Sequence, residues 1–373
     1  MNAGSRMTDL FVIGGGPAGL AAAIAARQRG MSVVVAEGAE PPIDKACGEG
    51  LMPGTLAALA ELGVKIRSGA GYRFRGIRFL DKNAEVAAEF LQGPGLGLRR
   101  TVLHHWMIQR AEECGVQMLW RTPVTRISPE GVQLPGRTVA AKWIVGADGA
   151  GSRVRRWSGL EQATREKQRF AARRHYHALP WMEHCEIYWS GRAQAYVTAI
   201  GGDEICVVVV AEQAAGADFD LFLRNCPQLG SRLAKAEVSS RERGAVTMMH
   251  SLHAVHSGNV ALIGDASGGV DAITGEGLRL AFRQAIALAE AMERGDLRLY
   301  ARAHRELTRR PKLMGNVLLR LGNSERLRSR VIGMLAKRPQ LFAHMLAVHS
   351  GDANWGEMLS AGAQLGWRLL TTE

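Results

Sequence analysis

Two short apolar runs near the start of the chain flank an alanine-rich segment. Residues 9–13 and 32–36 are apolar without alternation, which is typical of strands in a parallel sheet covered on both faces. Residues 17–30 between them predict a helix, and the glycines at 14–16 predict a tight turn before it. The pattern therefore predicts a β-turn-α-β unit as the first element of the fold.

A different pattern follows residue 70, where apolar and polar positions begin to alternate. Residues 71–90 predict antiparallel strands, and residues 185–211 predict an antiparallel hairpin that turns near 201–203. Further helices are predicted at 54–63, 101–115 and 277–293. We therefore expect an α/β protein in which an antiparallel sheet is inserted between segments of a parallel one.

The last part of the chain, 301–373, has the amphipathic pattern of helices, with breaks expected at Pro311, Gly322 and Pro339. Residues 301–340 contain eleven Lys or Arg and two acids, so this segment carries nine of the chain's twelve net positive charges. Such a segment attracts phosphate, nucleic acid or an anionic membrane surface, although a solvated helical face has the same pattern. No nucleic-acid-binding motif accompanies it, which disfavours DNA or RNA as a partner. Our hypothesis is that the helices of 301–345 lie at a membrane surface.

The composition, 47% apolar and 22% charged, is that of a globular protein and excludes disorder. No apolar run approaches the roughly 18 residues that a membrane span needs, and no signal peptide precedes the first strand, so we expect a cytoplasmic protein. The five cysteines are odd in number and none is spaced as CxxC, which disfavours a disulfide framework or a zinc site. The histidines show no ligand spacing with acids, and no metal is expected.

The first chemical motif is the GxGxxG of Gly14 to Gly19, between the first strand and the first helix. Its glycines permit a tight turn and close approach to a pyrophosphate, and the helix N-terminus supplies free N–H groups for that anion. Glu37 closes the second strand, where a carboxylate accepts hydrogen bonds from the hydroxyls of an adenosine ribose. The motif therefore predicts a site for FAD or NAD.

Two further motifs have the same construction, an apolar strand that delivers an Asp into a glycine loop. Asp148 and Gly149 follow the strand at 143–145, and Gly264 and Asp265 follow the strand at 260–263. Ligands of open α/β sheets bind at the carboxyl ends of strands, and a short carboxylate there suits a ribityl or ribose hydroxyl. Each loop alone is equally consistent with a capped turn.

With these three motifs in this order, residues 8–290 resemble the FAD-dependent superfamily of para-hydroxybenzoate-hydroxylase-type monooxygenases, geranylgeranyl reductases and flavin-dependent halogenases. The resemblance implies a Rossmann-like FAD-binding domain with an inserted antiparallel β-sheet substrate domain and a helical C-terminal region. The expected FAD domain comprises 8–70, 98–160 and 256–300. The expected substrate domain comprises 71–97 and 161–255, and 301–373 forms the helical region.

The resemblance also implies which residues hold FAD. Arg100 matches the first residue of an R-x-x-L helix start that contacts FAD, and Val124 stands where backbone holds the adenine. The turn of 274–278 matches one that faces the flavin pyrimidine ring. The implied FAD-binding residues are Gly14, Gly16, Pro17, Ala18, Gly19, Glu37, Lys45, Cys47, Gly48, Arg100, Val124, Asp148, Gly149, Gly264, Asp265, Gly275, Glu276, Gly277 and Leu278.

Two details indicate the geranylgeranyl-reductase-like branch. The sequence from Gly264 to Leu278 resembles that branch more than the hydroxylases. In addition, the loop 45–50 contains a cysteine, as the corresponding loop of the reductases does near the isoalloxazine. Cys47 and Lys45 are therefore the candidate catalytic residues, and the alternative is a loop that only positions the cofactor. A WxWxIP motif is absent, which weakens the halogenase alternative.

The resemblance implies an FAD-dependent oxidoreductase that acts on an apolar small molecule, such as an isoprenoid, a polyketide or an aromatic compound. Either C=C reduction or hydroxylation with O2 fits it. Without a second GxGxxG, NAD(P)H is expected to dock transiently as the electron donor, or a partner protein supplies the electrons. A non-catalytic prenyl- or partner-binding protein on the same fold is the alternative, and the intact Glu37, Asp148 and Asp265 argue against it.

Overall fold

The computed structural model describes residues 7–351, and at 163–167 and 248 it describes the backbone alone. The predicted helical stretch beyond residue 351 lies outside the described residues. The strands are, in chain order, β1 (Thr8–Ile13), β2 (Val33–Ala36), β3 (Gly50–Leu51), β4 (Tyr72–Phe74), β5 (Gly76–Asp81), β6 (Ala84–Glu89), β7 (Gly95–Gly97), β8 (Gln117–Leu119), β9 (Arg126–Ser128), β10 (Gly131–Leu134), β11 (Arg137–Val139), β12 (Ala141–Gly146), β13 (Ala163–His177), β14 (His184–Ser190), β15 (Ala193–Ala199), β16 (Glu204–Ala211), β17 (Glu237–Val238), β18 (Arg243–Leu252), β19 (His256–Ser257) and β20 (Val260–Leu262).

The helices pack around these strands. They are α1 (Pro17–Gln28), α2 (Pro53–Glu61), α3 (Arg100–Glu113), α4 (Arg153–Trp157), α5 (Phe219–Asn225), α6 (Pro227–Leu233), α7 (Gly277–Glu293), α8 (Leu297–Asn323), α9 (Glu325–Ala336) and α10 (Pro339–Ser350). Short 3₁₀ turns occupy Gly264–Ser267 and Ala272–Thr274. No helix among residues 7–351 is both long enough and apolar enough to cross a bilayer.

The cofactor domain is built on a sheet of strand order β19-β20-β12-β1-β2-β8, in which all pairs except β19–β20 are parallel. Its central strands β1 and β2 are buried because helices including α1, α3 and α7 cover one face and the small sheet β9–β11 covers the other. Five alanines of α1 are fully buried between the sheet and α7, since a small side chain lets a helix approach closely; they are Ala21, Ala22, Ala23, Ala25 and Ala26. The unalternating apolar runs thus predicted this sheet correctly.

The second large sheet has the order β13-β16-β15-β14-β5-β6, and both β17 and β18 pair with the free edge of β13. Its strands alternate between two faces. One face packs on α5 and α6, where Phe219 and Phe222 join Val197, Val207 and Val209 in a buried cluster. The other face, described below, lines a cavity. The inserted antiparallel sheet is as predicted, and its β14–β5 pair is parallel.

The C-terminal helices differ in two respects from the prediction. Pro311 lies inside α8, which runs unbroken from 297 to 323, whereas the breaks expected at Gly322 and Pro339 are confirmed within two residues, near Ser324 and Lys337. A proline removes one backbone hydrogen bond, and the packing of a long amphipathic helix compensates for it. The expected boundary at residue 300 therefore falls within a helix. In addition, α9 and α10 pack on β6 rather than lying wholly on the surface.

Candidate functional site

A cavity of about 880 Å³ runs between the two sheets. One part of it is walled by the glycine turns of the parallel sheet, and the other part by the antiparallel sheet and the C-terminal helices. Of the residues predicted to hold FAD, all but Gly19 and Glu276 line this cavity. The structure therefore brings together residues from separate segments across the chain, from Gly14 to Leu278.

Two glycines of the first turn, Gly14 and Gly19, have no room for a side chain. Gly14 has a φ of +112°, and a Cβ there would lie 2.5 Å from the Ala147 oxygen. A Cβ on Gly19 would lie 1.9 Å from the Gly14 oxygen, so Gly19 serves the packing of helix on turn and does not line the cavity. Gly16, in contrast, faces open space. The N-terminus of α1 begins there with no side-chain cap, so its N–H groups are available to an anion.

Glu37 is held in place by the backbone beside this turn. Its two carboxylate oxygens accept hydrogen bonds from Gly15 N at 2.8 Å and Ala39 N at 2.9 Å. Each oxygen keeps a further lone pair, so the carboxylate can still accept hydroxyl hydrogens. Glu37 and Val124 both line the cavity, in the positions expected for residues that contact an adenosine.

Asp148 has a different environment from the one expected. Its carboxylate accepts hydrogen bonds from Ser152 Oγ at 2.5 Å, Arg153 N at 2.7 Å and Val154 N at 3.1 Å. These bonds cap the start of α4, so the capped-turn interpretation of this loop is correct. Asp148 and Gly149 still line the cavity, but the main role of the Asp148 carboxylate is to shape the loop.

Asp265 faces the cavity and forms an ion pair with Lys45. Lys45 Nζ lies 3.0 Å from Asp265 Oδ2, and about half of the Asp265 side chain, 51%, is accessible from the cavity. Burial by the surrounding protein raises the pKa of Asp265, but the Lys45 ammonium outweighs it and holds this pKa below its ordinary value. The pair joins the loop 45–50 to the loop after β20 and leaves an ionised carboxylate in the cavity.

Arg100 supplies a cation with unused hydrogen-bonding capacity. It begins α3 and lines the cavity, and its Nε is buried without a hydrogen-bond partner among the described residues. A buried unpaired donor is costly unless a ligand satisfies it. Its backbone N–H donates to Glu49 Oε1 at 2.9 Å, which fixes the start of the helix.

The turn before α7 also borders the cavity, through Gly275, Gly277 and Leu278. Gly275 has a φ of +66°, and α7 begins with no side-chain cap, so the N–H groups of its first turn are free of side-chain acceptors. Glu276 points away from the cavity and pairs with Arg279, which corrects its assignment as a cofactor contact. The side chain is buried because it anchors the turn.

The loop 45–50 carries Cys47 and Gly48 to the cavity wall. Cys47 Sγ accepts the backbone N–H of Glu49 at 3.4 Å, and Cys47 O accepts from Cys206 Sγ at 3.5 Å. The loop is strained at Glu49, a non-glycine residue with a φ of +57°, which costs about 1–2 kcal/mol. Such strain persists only where surrounding contacts hold it.

Those contacts come from a buried network that sequence reasoning missed. His175 Nδ1 lies 2.8 Å from Arg99 Nη1, and because a guanidinium only donates, Nδ1 must accept. His175 therefore carries its hydrogen on Nε2 and donates it to Glu49 Oε2 at 2.7 Å. Arg173 Nη1, 3.5 Å from Glu49 Oε1, adds a positive charge and pairs with Asp44 at 2.7 Å. The network connects the loop 45–50 to β13. The KACGEG sequence of the loop was the only part of it that the sequence analysis singled out.

Glu49, His175 and Cys206 also satisfy the distance criterion for a metal site, since one ligand atom of each lies within 4.8 Å of the others. The hydrogen-bonding pattern argues against a metal. The Nε2 of His175 that would ligate the ion carries the hydrogen donated to Glu49, and Arg173 already neutralises the carboxylate. Burial also raises the pKa of the Cys206 thiol, which disfavours the thiolate that a metal requires.

The remaining part of the cavity is an apolar chamber. Its lining residues alternate along β5, β14, β15 and β16, and none of the lining residues from the sheet is charged. Tyr196 donates its hydroxyl to Gln194 at 3.3 Å, and burial raises its pKa, so it remains a phenol. The sheet residues that line the chamber are Ile77, Phe79, Ala171, Cys185, Ile187, Tyr196, Thr198, Val208, Val210, Val246 and Thr247.

Helices α8 and α10 form the opposite wall of the chamber with Met314, Leu318, Phe342, Met345 and Leu346. These are the helices that the sequence predicted for a membrane surface, so one face of them instead contacts the interior. Their apolar wall completes an enclosure suited to an uncharged organic molecule.

FAD fits the other part of the cavity. The uncapped start of α1, the open space at Gly16 and the unpaired Arg100 Nε suit a pyrophosphate, and Glu37 and Asp265 suit hydroxyl groups. Buried His104 stabilises this arrangement, since its ring nitrogens lie 2.8 Å from Gly15 O and 3.3 Å from Ile43 N, and burial lowers its pKa.

Comparison with known proteins agrees with this geometry. The family described as FAD binding domain matches residues 7–294. The chain is 29% identical to a menaquinone reductase of Mycolicibacterium smegmatis over 79% of this chain and 78% of the relative. It is 26% identical to digeranylgeranylglycerophospholipid reductase 2 of Methanosphaera stadtmanae over 78% and 79%.

The fold is shared with solved structures as well. A geranylgeranyl bacteriochlorophyll reductase-like protein of Thermoplasma acidophilum superposes with a TM-score of 0.79 at 18% identity, covering 96% of this chain and 99% of that one. At this identity the likeness shows the fold alone. Together with the family match, it leads to the conclusion that this chain belongs to the FAD binding domain family and is an FAD-dependent oxidoreductase.

Proposed function

We propose that the protein reduces a carbon–carbon double bond of an apolar, isoprenoid-bearing molecule. The observation that carries this proposal is the chamber with an apolar sheet wall that continues from the cofactor part of the cavity. The names of the relatives above, two reductases, support the same class of reaction. Hydroxylation with O2 is the alternative reaction on this fold.

FAD supplies hydride chemistry when it is bound. The protein's own share is to bind, orient and exclude water. The start of α1 and Arg100 bind the phosphates, the Lys45–Asp265 pair borders the ribityl chain, and the uncapped start of α7 offers N–H groups to negative charge. The apolar chamber holds the substrate away from water.

Reduction of a double bond also requires a proton, and Cys47 is our candidate to hold it. Cys47 lines the cavity, and its Sγ accepts a hydrogen bond from the Glu49 N–H at 3.4 Å. Replacement of Cys47 by Ser keeps a proton at this position, whereas Ala removes it. We expect Cys47→Ala to slow double-bond reduction strongly and Cys47→Ser to slow it less, with FAD content unchanged in both.

We propose NADH or NADPH as a transient electron donor. The described residues contain one dinucleotide turn, so the donor has to dock against the FAD domain. Anaerobic addition of either nucleotide to the FAD-loaded protein should bleach the flavin absorbance. If dithionite bleaches the flavin and neither nucleotide does so, a partner protein supplies the electrons.

The substrate class is tested by the mass of the product. Incubation with a geranylgeranyl-bearing naphthoquinone, reductant and ¹⁸O₂, followed by exposure to air, separates the two reactions. Double-bond reduction gives an air-stable gain of two hydrogens, whereas hydroxylation incorporates one labelled oxygen. Simple reduction of the quinone ring reverses in air and leaves the mass unchanged. An ¹⁸O-labelled product would replace our proposal by monooxygenation.

We also propose that the outer face of α8 and α9 contacts an anionic membrane, from which an apolar substrate is drawn. Three large apolar side chains are exposed there, Leu313 (41%), Val317 (38%) and Leu327 (37%). Exposed arginines such as Arg320 and Arg326 lie among them. This combination suits the interface of an anionic bilayer, where each nearby cation contributes about 1 kcal/mol.

Liposome sedimentation tests this contact. The protein should sediment with vesicles of anionic lipid at low salt and remain in solution with neutral vesicles. The variant Arg320→Glu/Arg326→Glu should lose most of this binding. A matched control, Arg224→Glu/Arg241→Glu, makes the same charge change at exposed positions of the substrate domain and should retain it. Equal loss in both variants would mean that the attraction is unspecific.

A further inference from the structure

The chamber is elongated across the strands of the sheet, because its lining residues lie in register on neighbouring strands. Phe79 on β5 pairs with Ile187 on β14, Ile187 with Tyr196 on β15, and Tyr196 with Val208 on β16. All four line the cavity, and we call them the Tyr196 row. With strands about 4.8 Å apart, the row is about 14 Å long.

One end of the row lies under the cofactor loop. The next residue in register beyond Val208 is Arg173, whose guanidinium pairs with Asp44 at 2.7 Å. Cys206, also on β16, donates to Cys47 O at 3.5 Å. This end therefore adjoins the loop that carries Cys47.

The other end of the row is closed by two aromatic rings. Phe342 of α10 packs against Phe79 with ring centroids 5.0 Å apart, and both rings line the cavity. Beyond Phe79 the register continues to Val86 on β6, which is buried and does not line the cavity. Helices α9 and α10 cover β6 from that side. The chamber therefore ends at the Phe79–Phe342 pair.

We propose that the chamber takes a substrate whose reactive group lies beside Cys47 and whose linear apolar tail extends along the Tyr196 row, with Phe79 and Phe342 setting the tail length. This inference rests on the proposed function for the identity of the reactive group. It adds a rule of selection, because a tail longer than the row has to displace a packed ring. Apolar walls throughout the row make burial of each tail carbon favourable up to that point.

The test measures binding of 2-methyl-1,4-naphthoquinones that carry none, one, two, three or four isoprene units at C3. Dissociation constants are taken from quenching of tryptophan fluorescence in the FAD-loaded oxidised protein, in one fixed detergent. Affinity should rise about tenfold or more with each unit, since burial of two carbons already corresponds to that factor, until the tail reaches the aromatic pair. Affinity then stops rising.

Substitutions at the aromatic pair should move this limit in both directions. Phe342→Ala and Phe79→Ala should shift it to a longer tail, and Phe342→Trp to a shorter one. Phe90→Ala is the matched control, because it removes the same ring from the same apolar cluster at a position that does not line the cavity. A limit that stays fixed in all three cavity variants, or shifts equally in Phe90→Ala, overturns the inference.

The same series distinguishes failure of this inference from failure of the proposed function. If the limit moves as expected but no chain length yields an air-stable product with two added hydrogens, the tail selection stands and double-bond reduction is wrong. If such products form with equal efficiency at every tail length, and the dissociation constant does not depend on tail length either, double-bond reduction stands. The selection of tail length by Phe79 and Phe342 is then wrong.

Discussion

The cofactor part of the cavity and the substrate chamber are built by opposite means. Around the cofactor, function depends on backbone: glycines without side chains, uncapped helix starts and a few short carboxylates held by N–H groups. In the chamber, function depends on side chains that alternate along strands and meet across them. The cofactor part binds one constant molecule, whereas the chamber has to fit a particular substrate. Side-chain substitutions can therefore change the shape of the chamber without changing the cofactor part.

The two parts are connected by buried polar contacts as well as by apolar packing. Arg169 of β13 reaches Asp271 before the cofactor turn, and His304 of α8 reaches Ser267 in the loop after β20. Such contacts fix the relative position of the sheets more specifically than apolar packing does. The following predictions test this connection and the division of labour, from the largest effect to the smallest.

The largest effect is expected from the Arg169–Asp271 pair. Arg169 Nη1 lies 2.8 Å from Asp271 Oδ1, and the two side chains are 4% and 2% exposed. Arg169→Met leaves a buried unpaired carboxylate and should lower the free energy of unfolding by about 3–5 kcal/mol in urea titrations. Arg169→Met/Asp271→Asn should recover much of this loss. Lys82→Met, which breaks the exposed Lys82–Glu325 pair, should cost less than about 1 kcal/mol.

A pH dependence is expected from His304. Burial lowers its pKa to about 4, so the folded protein holds this histidine neutral while the unfolded chain protonates it below its ordinary value of 6.5. The contribution of neutral His304 to the free energy of unfolding is therefore fully present above about pH 6.5. This contribution falls by about 3 kcal/mol as the pH falls towards 4. Unfolding titrations of His304→Gln should show a smaller loss over this range. His105→Gln, at an exposed histidine, should behave as the parent protein does, and an unchanged slope in His304→Gln would contradict the assignment.

The smallest of the three effects concerns Arg100 and the cofactor. Loss of a hydrogen bond to a charged group costs about 1.5–3 kcal/mol, so Arg100→Met should weaken FAD binding roughly tenfold to a hundredfold. The backbone contact to Glu49 is retained, so the melting temperature of the FAD-free protein should change little. Arg298→Met removes an exposed guanidinium on α8 as a control. The affinity for FAD is measured by flavin fluorescence. Equal affinity in the two variants would rule out a contact between Arg100 and the FAD phosphates.

The sequence predicted the glycine turn before α1 well and the chamber only in outline. The glycine turn and Glu37 could be recognised because a tight turn and a strand end are local features. Asp148 shows the limit of this reasoning, since its capping of α4 and a role at the cofactor have the same local sequence. Pro311 shows another limit, because tertiary packing retained a helix that propensity alone would end.

By itself, the sequence determined the glycine turn of Gly14 to Gly19 and the two kinds of sheet. These follow from periodicity and backbone freedom within a few neighbouring residues. Only the tertiary structure decided the Glu49–His175 contact, between residues 126 positions apart, and the meeting of Phe79 with Phe342. The physical reason is that strand register and helix packing determine which distant side chains come into contact. The local pattern of a single sequence contains no information about either.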